Sequence, residues 1–246
     1  MSLRLLPYLT AWAPLAARPF GERIRESVVA NLITEDRWQV MLDGLCRTLE
    51  VSLFSLLFAS LWGAALCAMR ISRNRPLSKT AGAYIELMRS LPLLILLLVS
   101  FYVIFAASAL SKVQIAVVCF SLYYGAYFSE VFRTGIEGVD RGQREAGAAL
   151  GLSKRQVFGR IVMPQALLRV LPLYKTQAVA LIKSTSIVGY VSVVDITKAG
   201  DYIRARTFDA FFPLLLVAAI YLILSWLFGM GIDLVERKLT PKHRSL

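Results

Sequence analysis

The chain has 246 residues, of which 57% are apolar, and it carries a formal net charge of +12. Its one histidine, His243, and its three scattered cysteines form no ligand set for zinc and no HExxH-type catalytic site, so we expect no metal on this chain. A basic balance can indicate nucleic-acid binding. Here the charges lie between long apolar segments, so we expect a lipid bilayer as partner and no nucleic acid.

The chain begins with an arginine-bearing segment that contains prolines at positions 7, 14 and 19. It has no clear apolar core followed by a small-residue cleavage site, so we do not interpret it as a signal peptide. We predict that residues 1–38 form an interfacial lead-in, residues 39–240 a transmembrane domain and residues 241–246 a cytoplasmic tail.

Long apolar runs indicate membrane spans. The run from Leu91 to Leu110 contains no charged residue, and a helix of that length is about 30 Å long, the thickness of a bilayer core. We predict an all-α integral membrane protein with five spans, over residues 49–69, 80–107, 113–132, 170–196 and 211–234.

Basic residues are concentrated in alternate connections between these spans. They crowd the first link, the long third link and the carboxyl-terminal tail, whereas the second link holds only Lys112. By the positive-inside rule, the amino terminus lies outside and the carboxyl terminus in the cytoplasm. The long third link is therefore cytoplasmic.

That third link contains a helix-forming segment, EAGAALG, from Glu145 to Gly151. Gly151 should end a first helix, Ser153 could cap a second, and Pro164 should set the start of the fourth span. A helix, a bend and a second helix at the inner face of the membrane suit docking into a groove of another protein. We call residues 137–165 the coupling loop.

The spacing of Glu145-Ala146, Gly151, Ile161 and Pro164 resembles the EAA motif of ABC importer permease subunits. Gly147 stands where the family has alanine, a departure expected to loosen the first helix slightly. Further segments resemble the polar amino acid branch of that family, in the same order: Gly44 to Leu49, Glu86 to Pro92, Tyr127 to Ile136, Gly142-Gln143, Pro164 to Ala166 and Lys183 to Ser186.

The resemblance implies a type I ABC importer permease of the bacterial cytoplasmic membrane that moves amino acids. It implies a second permease subunit, identical or not, two ATP-binding subunits and an extracytoplasmic solute-binding protein. The chain has no GxxxxGK[ST] loop, so ATP and Mg belong to the partner subunits, and this chain is not itself an enzyme. The residues expected to couple to the ATP-binding subunit are Glu145, Ala146, Gly147, Leu150, Gly151 and Leu152.

Polar side chains inside the spans are candidates for the transport pathway: Tyr123, Tyr124, Tyr127, Gln177, Lys183, Ser184 and Thr185. Lys183 should lie near mid-depth close to the tyrosines of the third span. It could contact a ligand carboxylate, a backbone carbonyl or a water-filled cleft.

Two acid–base pairs lie three residues apart near the inner ends of the second and third spans: Glu86 with Arg89, and Glu130 with Arg133. This spacing puts each pair on one helical face. They could close the inner mouth of the pathway, but we favour structural ion pairs that fix helix packing.

Two other functions remain open at this point. The chain could be a permease for another small solute, or a channel that works without an ATPase. The second span, with Ser90-Leu91 followed by unbroken leucine and isoleucine, gives a less polar wall than the branch pattern. Cystine, histidine, an opine and a more apolar amino acid are therefore all open as substrates.

Overall fold

The computed structural model describes residues 20–239, and within them the chain is α-helical with no strand. We number the helices α1 to α10: Phe20–Val28, Arg37–Arg70, Arg75–Ser90, Leu93–Val99, Lys112–Glu137, Arg141–Ala149, Lys154–Val157, Met163–Ser184, Ile196–Thr207 and Phe211–Leu239. Residues 1–19 of the predicted lead-in and the whole predicted tail, 241–246, lie outside the described residues.

Within residues 20–239, three helices are long and apolar enough to cross a membrane singly: α2 with the helical turns before it, α5 and α10. Five crossings are obtained if two bent pairs of helices each count as one span. The predicted number of spans thus agrees with the structure on that count, but two of the five are not straight helices.

The second predicted span, 80–107, is wrong as a single helix. The helix α3 ends at Ser90, and the segment Leu93–Ile104 leaves it at an angle of 103°. Leu91, which precedes Pro92, is extended at φ −90° and ψ 138°, because a proline disfavours helical backbone in the residue before it.

The fourth predicted span, 170–196, is wrong at both ends. Helical backbone runs from Lys154 to Val191 and stops at Ser192, which has a positive φ of 59°. The chain then turns by 53° into α9, a helix that the sequence reading did not predict. The carboxylate of Asp195 caps α9 by accepting hydrogen bonds from the backbone of Thr197 and Lys198.

The core of the bundle lies around α5, which packs against α2, α3, α4 and α8. Two glycines bring α2 and α5 together: a Cβ on Gly63 would lie 2.8 Å from the Cβ of Phe128, and one on Gly125 would lie 2.6 Å from Trp62. Phe120 and Phe128 are fully buried there. Because α5 cannot move far without unpacking this core, it is the fixed helix against which the others are positioned.

The first predicted span, 49–69, lies within α2, which begins earlier, at Arg37, and has 34 residues. At about 1.5 Å per residue this helix exceeds the thickness of a bilayer core. Just before it, the buried side chain of Asn31 donates to Asp209 and accepts from Thr207. The described part of the lead-in is therefore attached to the connection between α9 and α10.

Candidate functional site

The coupling loop has the predicted helix, bend and second helix. The Asp140 carboxylate accepts from the backbone of Gly142 at 2.8 Å and caps α6. Gly151 ends the turn with a φ of +77°, which a residue with a side chain rarely adopts. Ser153 and Gln156 then form a reciprocal capping box that starts α7.

Pro164 does not open the fourth span, contrary to the sequence prediction. The backbone stays helical from α7 into α8 through a π turn at Phe158–Val162. Met163 donates to the carbonyl of Phe158, so the helix widens immediately before the proline, which has no N–H to continue the usual pattern. The second coupling helix and the fourth span therefore form one continuous rod.

Gly147 lies at the contact between the two helices of the loop. It is buried, and a Cβ there would lie 2.6 Å from the Cδ1 of Ile161 and 3.1 Å from Val157. The glycine permits close packing of α6 on the start of the rod. The expectation that it merely loosens α6 misses this packing role.

The opposite face of α6 is uncovered. Glu145, Ala146 and Gly151 are exposed, and the side chain of Leu150 is 81% exposed. Within residues 20–239 the Glu145 carboxylate makes no ion pair. Four of the six predicted coupling residues thus face outward, whereas Gly147 is buried and Leu152 packs partly into the small core beneath the loop.

Two arginines hold the loop to the end of α5, and the sequence reading counted them only as basic loop residues. Arg144 donates to the carbonyl of Ile136 at 2.6 Å, and Arg169 on α8 donates to the carbonyl of Gly138. These carbonyls lie at the carboxyl end of α5, where the helix dipole favours cations. The sequence feature that could have indicated these contacts is the position of both arginines after a long predicted helix.

The predicted pathway residues come together where α5 meets the end of α8. The hydroxyls of Tyr124 and Ser184 are 2.7 Å apart, and those of Tyr123 and Tyr127 are 3.1 Å apart. The ring centroids of Tyr123 and Tyr127 are 5.1 Å apart. We call Tyr123, Tyr124, Tyr127 and Ser184 the tyrosine cluster.

The three remaining pathway candidates differ in exposure. Lys183 is exposed beside Ser184, and its ammonium makes no hydrogen bond or ion pair within the described residues. Gln177 is half-buried. Thr185 is fully buried and donates to the carbonyl of Ile182 at 2.7 Å, and its hydroxyl also lies against that of Tyr221 on α10.

The charged pairs form differently from the prediction. Arg133 lies between Glu130 and Glu137, at 2.7 and 2.6 Å, so the second pair is part of a triad along α5. The first pair is not formed: Arg89 stacks over the ring of Tyr127 at 5.5 Å, and Glu86 is exposed with no ion pair in the described part of the chain. The bend at Pro92 changes how α3 approaches α5, which spacing alone could not indicate.

The cysteines are free thiols, with Cys67 and Cys119 buried and Cys46 exposed. Among residues 20–239, no three His, Cys, Asp or Glu side chains are grouped as a metal site requires. The polar groups of the bundle are thus hydroxyls, an amide, ammonium and guanidinium groups and carboxylates, which are suited to binding.

Comparison with known proteins gives several similar permeases. The chain is 31% identical over 209 residues to the probable glutamine ABC transporter permease protein GlnM of Bacillus subtilis (strain 168), covering 85% of this chain and 97% of the relative. It is 31% identical to the glutamate/aspartate import permease protein GltK of Escherichia coli O157:H7, covering 80% and 92%. It is 30% identical to the L-cystine transport system permease protein TcyB of Bacillus subtilis (strain 168), covering 85% and 90%.

Solved structures share the fold. A chain of the crystal structure of an amino acid ABC transporter with histidines matches with a TM-score of 0.75 and 28% identity, covering 81% of this chain and 94% of that one. The MetNI methionine ABC transporter in an inward-facing conformation matches with a TM-score of 0.70 and 20% identity, covering 82% and 97%. Residues 55–241 match the family described as binding-protein-dependent transport system inner membrane component, and the chain belongs to that family.

Proposed function

We propose that this chain is the membrane-spanning subunit of an ATP-driven importer of amino acids, and that the coupling loop receives the movement of a separate ATP-binding subunit. The exposed face of α6 carries the proposal, since it presents Glu145 and Leu150 on a helix whose other side is packed. The relatives named for glutamine, glutamate/aspartate and cystine support amino acids as the substrate class.

The loop can transmit force because it is attached at two places. Arg144 ties it to the end of α5, Arg169 ties its first residues to α8, and the continuous rod from Lys154 would carry a displacement along α8. Ser184 lies at the far end of that helix, against Tyr124. A push on α6 would therefore reach the tyrosine cluster along one helical segment, which contains the π turn before Pro164 and a second proline, Pro172.

The proposed partners are two ATP-binding subunits, a second permease subunit and an extracytoplasmic solute-binding protein. ATP and Mg would be held by the ATP-binding subunits. On this chain the polar residues of the bundle bind and position the substrate, and no covalent step is required.

The proposed location is the bacterial cytoplasmic membrane, with the amino terminus outside and the carboxyl terminus in the cytoplasm. The basic residues between α2 and α3 and in the coupling loop support this orientation. Five crossings place the two termini on opposite sides.

Lys183 is the proposed contact for the substrate carboxylate. Its exposed ammonium has no partner within residues 20–239, and Lys183 precedes Ser184, the member of the tyrosine cluster on α8. An ammonium inside a membrane bundle is costly unless it meets water or an anion, and an amino acid carries a carboxylate. The tyrosine hydroxyls and ring faces would bind the remainder of the molecule.

The test is purification from native membranes in mild detergent, for the wild type and for Glu145→Arg. We expect an ATP-binding subunit to co-purify with the wild type and to be lost on charge reversal, because the outward face of α6 would then present the wrong charge. Asp43→Arg on α2 is the matched control, since it reverses an exposed acid that, like Glu145, makes no ion pair within residues 20–239 and lies away from the coupling loop. Absence of any ATP-binding subunit from the wild-type complex would overturn the proposal in favour of a channel.

A further inference from the structure

The last helix, α10, is the least buried of the apolar helices, with 11% of its most apolar window buried within the described residues. One face of α10, which includes Leu224, Phe228 and Ile232, packs against the core of the bundle, and most of the rest of the helix is uncovered within the described residues. It nevertheless carries an acid, Asp233, among apolar residues in its carboxyl-terminal half. An isolated carboxylate there would be costly, so its partner is informative.

That partner is Lys175 on α8. Its ammonium nitrogen lies 2.6 Å from Oδ1 and 2.7 Å from Oδ2 of Asp233, so both carboxylate oxygens accept from it. Gly229, one turn earlier on the same face of α10, leaves room for the lysine: a Cβ there would lie 3.1 Å from the lysine Cε. The space at Gly229 thus accommodates the aliphatic part of the Lys175 side chain, and the Asp233 carboxylate pairs with its ammonium.

The amino-terminal half of α10 is held separately. The hydroxyl of Tyr221 donates to the buried carboxylate of Asp195, and Val217 packs where Gly200 on α9 has no side chain. Asp233 lies twelve residues beyond Tyr221, which is about 18 Å along the helix. The Lys175–Asp233 pair is the ion pair between α8 and α10 within the described part of the chain.

We propose that Lys175 and Asp233 are positioning residues for transport, which make α10 move with the coupling rod when the ATP-binding subunit displaces it. The inference rests on the proposed function. Lys175 lies on the helix that continues from the coupling loop, so a displacement of that loop carries the ammonium with it. The two side chains are 35% and 41% exposed, so the link rests on the two-oxygen salt bridge together with the fit of the lysine at Gly229. Because both contacts resist separation of the helices at this point, Asp233 and the inner half of α10 follow.

Mutual neutralisation of two membrane charges would explain the ion pair without any role in movement. The two explanations differ for a double replacement by apolar residues of similar length, Lys175→Met with Asp233→Leu. That variant leaves no unpaired charge, so neutralisation predicts normal transport. A mechanical link predicts loss, since no directional bond then joins the two helices.

The experiment uses the complete transporter in liposomes, with its ATP-binding subunits and solute-binding protein, and measures uptake of glutamine, glutamate and cystine together with ATP hydrolysis. For the double apolar variant we expect uptake of the transported amino acid to fall about tenfold while ATP hydrolysis falls less than about twofold. For the exchanged pair, Lys175→Asp with Asp233→Lys, we expect uptake to return to within about threefold of the wild type.

The matched control is Arg47→Met with Glu50→Leu, which removes an exposed ion pair of 2.6 Å within the single helix α2. We expect no change in the ratio of uptake to hydrolysis. Wild-type uptake by the double apolar variant would overturn the inference, as would exchanged charges that assemble but leave uptake at the level of the double apolar variant. If the wild-type complex shows no ATP-dependent uptake, the proposed function itself fails, which is a different result.

Discussion

The coupling loop and the tyrosine cluster are built on opposite principles. The loop is made of residues close in sequence, with caps and a glycine turn between Asp140 and Gln156. The cluster joins Tyr124 to Ser184, sixty residues later, through one hydroxyl contact. The loop is therefore held together by local contacts. The tyrosines of the cluster are also close in sequence on α5, but Ser184 belongs to it only while α5 and α8 keep their relative positions.

This difference suggests that the coupling loop and the tyrosine cluster have different roles in transport. A part that receives force must keep its shape when pushed, and the loop is packed on one side and tied by arginines. If the cluster binds and releases the substrate, as proposed, it must be able to change, and it relies on few polar contacts. The predictions below test whether rigidity in the loop and adaptability in the cluster are both needed.

The largest effect should come from Gly147→Val. The added methyls would collide with Ile161 and Val157, and such overpacking costs about 1–3 kcal/mol. We expect α6 to be displaced and the ATP-binding subunit to be lost on purification. The control is Gly159→Val, where a Cβ meets nothing within 4 Å. Retention of the subunit by the Gly147 variant would show that the loop tolerates movement.

The next effect should come from Lys183→Met in the cluster region. A charge-assisted contact contributes about 1.5–3 kcal/mol, so the substrate concentration for half-maximal uptake should rise about tenfold or more. Lys183→Arg should retain most of the affinity, and Lys198→Met, a lysine that stacks on Tyr202, should change little. Unchanged uptake by the methionine variant would remove Lys183 from the pathway.

A smaller effect is expected for the hydroxyl contact between Tyr124 and Ser184. Interhelical hydrogen bonds in membrane proteins average about 0.6 kcal/mol, so Tyr124→Phe and Ser184→Ala should each lower the free energy of unfolding slightly. A double-mutant cycle in detergent should give a coupling of that order. A coupling near zero would mean that the two hydroxyls bond to other groups.

The smallest effects on stability are expected when the charges of Glu130 and Glu86 are removed. Glu130 faces Arg133 at 2.7 Å with both side chains partly exposed, so Glu130→Gln should cost at most about 1 kcal/mol. Glu86→Gln should have no measurable effect on the unfolding midpoint, because Glu86 makes no ion pair in the described part of the chain. A larger loss for Glu86 would indicate a partner in another subunit.

The family and the all-α membrane fold were predictable from the sequence, and both are confirmed. The apolar periodicity located α5 and α10, and the motif located the loop. Local signals were also missed: Pro92 breaks a run that hydropathy alone joins, and Asp195 caps a helix in a segment interpreted as a link.

Other features had no local signal. The ion pair between Lys175 and Asp233 and the stacking of Arg89 on Tyr127 depend on how helices distant in sequence approach one another. Composition shows that such charges need partners but not which ones. Contacts of the site that form within one short segment were therefore predictable from the sequence. Contacts that depend on the packing of helices distant in sequence were not.

The contact of Asn31 with Thr207 and Asp209 has a consequence for how the protein is made. The amide leaves the ribosome before any of the five spans, and both its partners emerge after four of them. Until then the amide nitrogen can donate only to the nearby carbonyl of Ser27. The amide oxygen lacks its donor, Thr207, which is unfavourable once water is removed from a side chain that is 1% exposed in the finished subunit. The first segment described can thus be completed only when the connection between α9 and α10 has been made, so a chain truncated before Thr207 leaves this buried side chain without the partners that it has in the finished subunit.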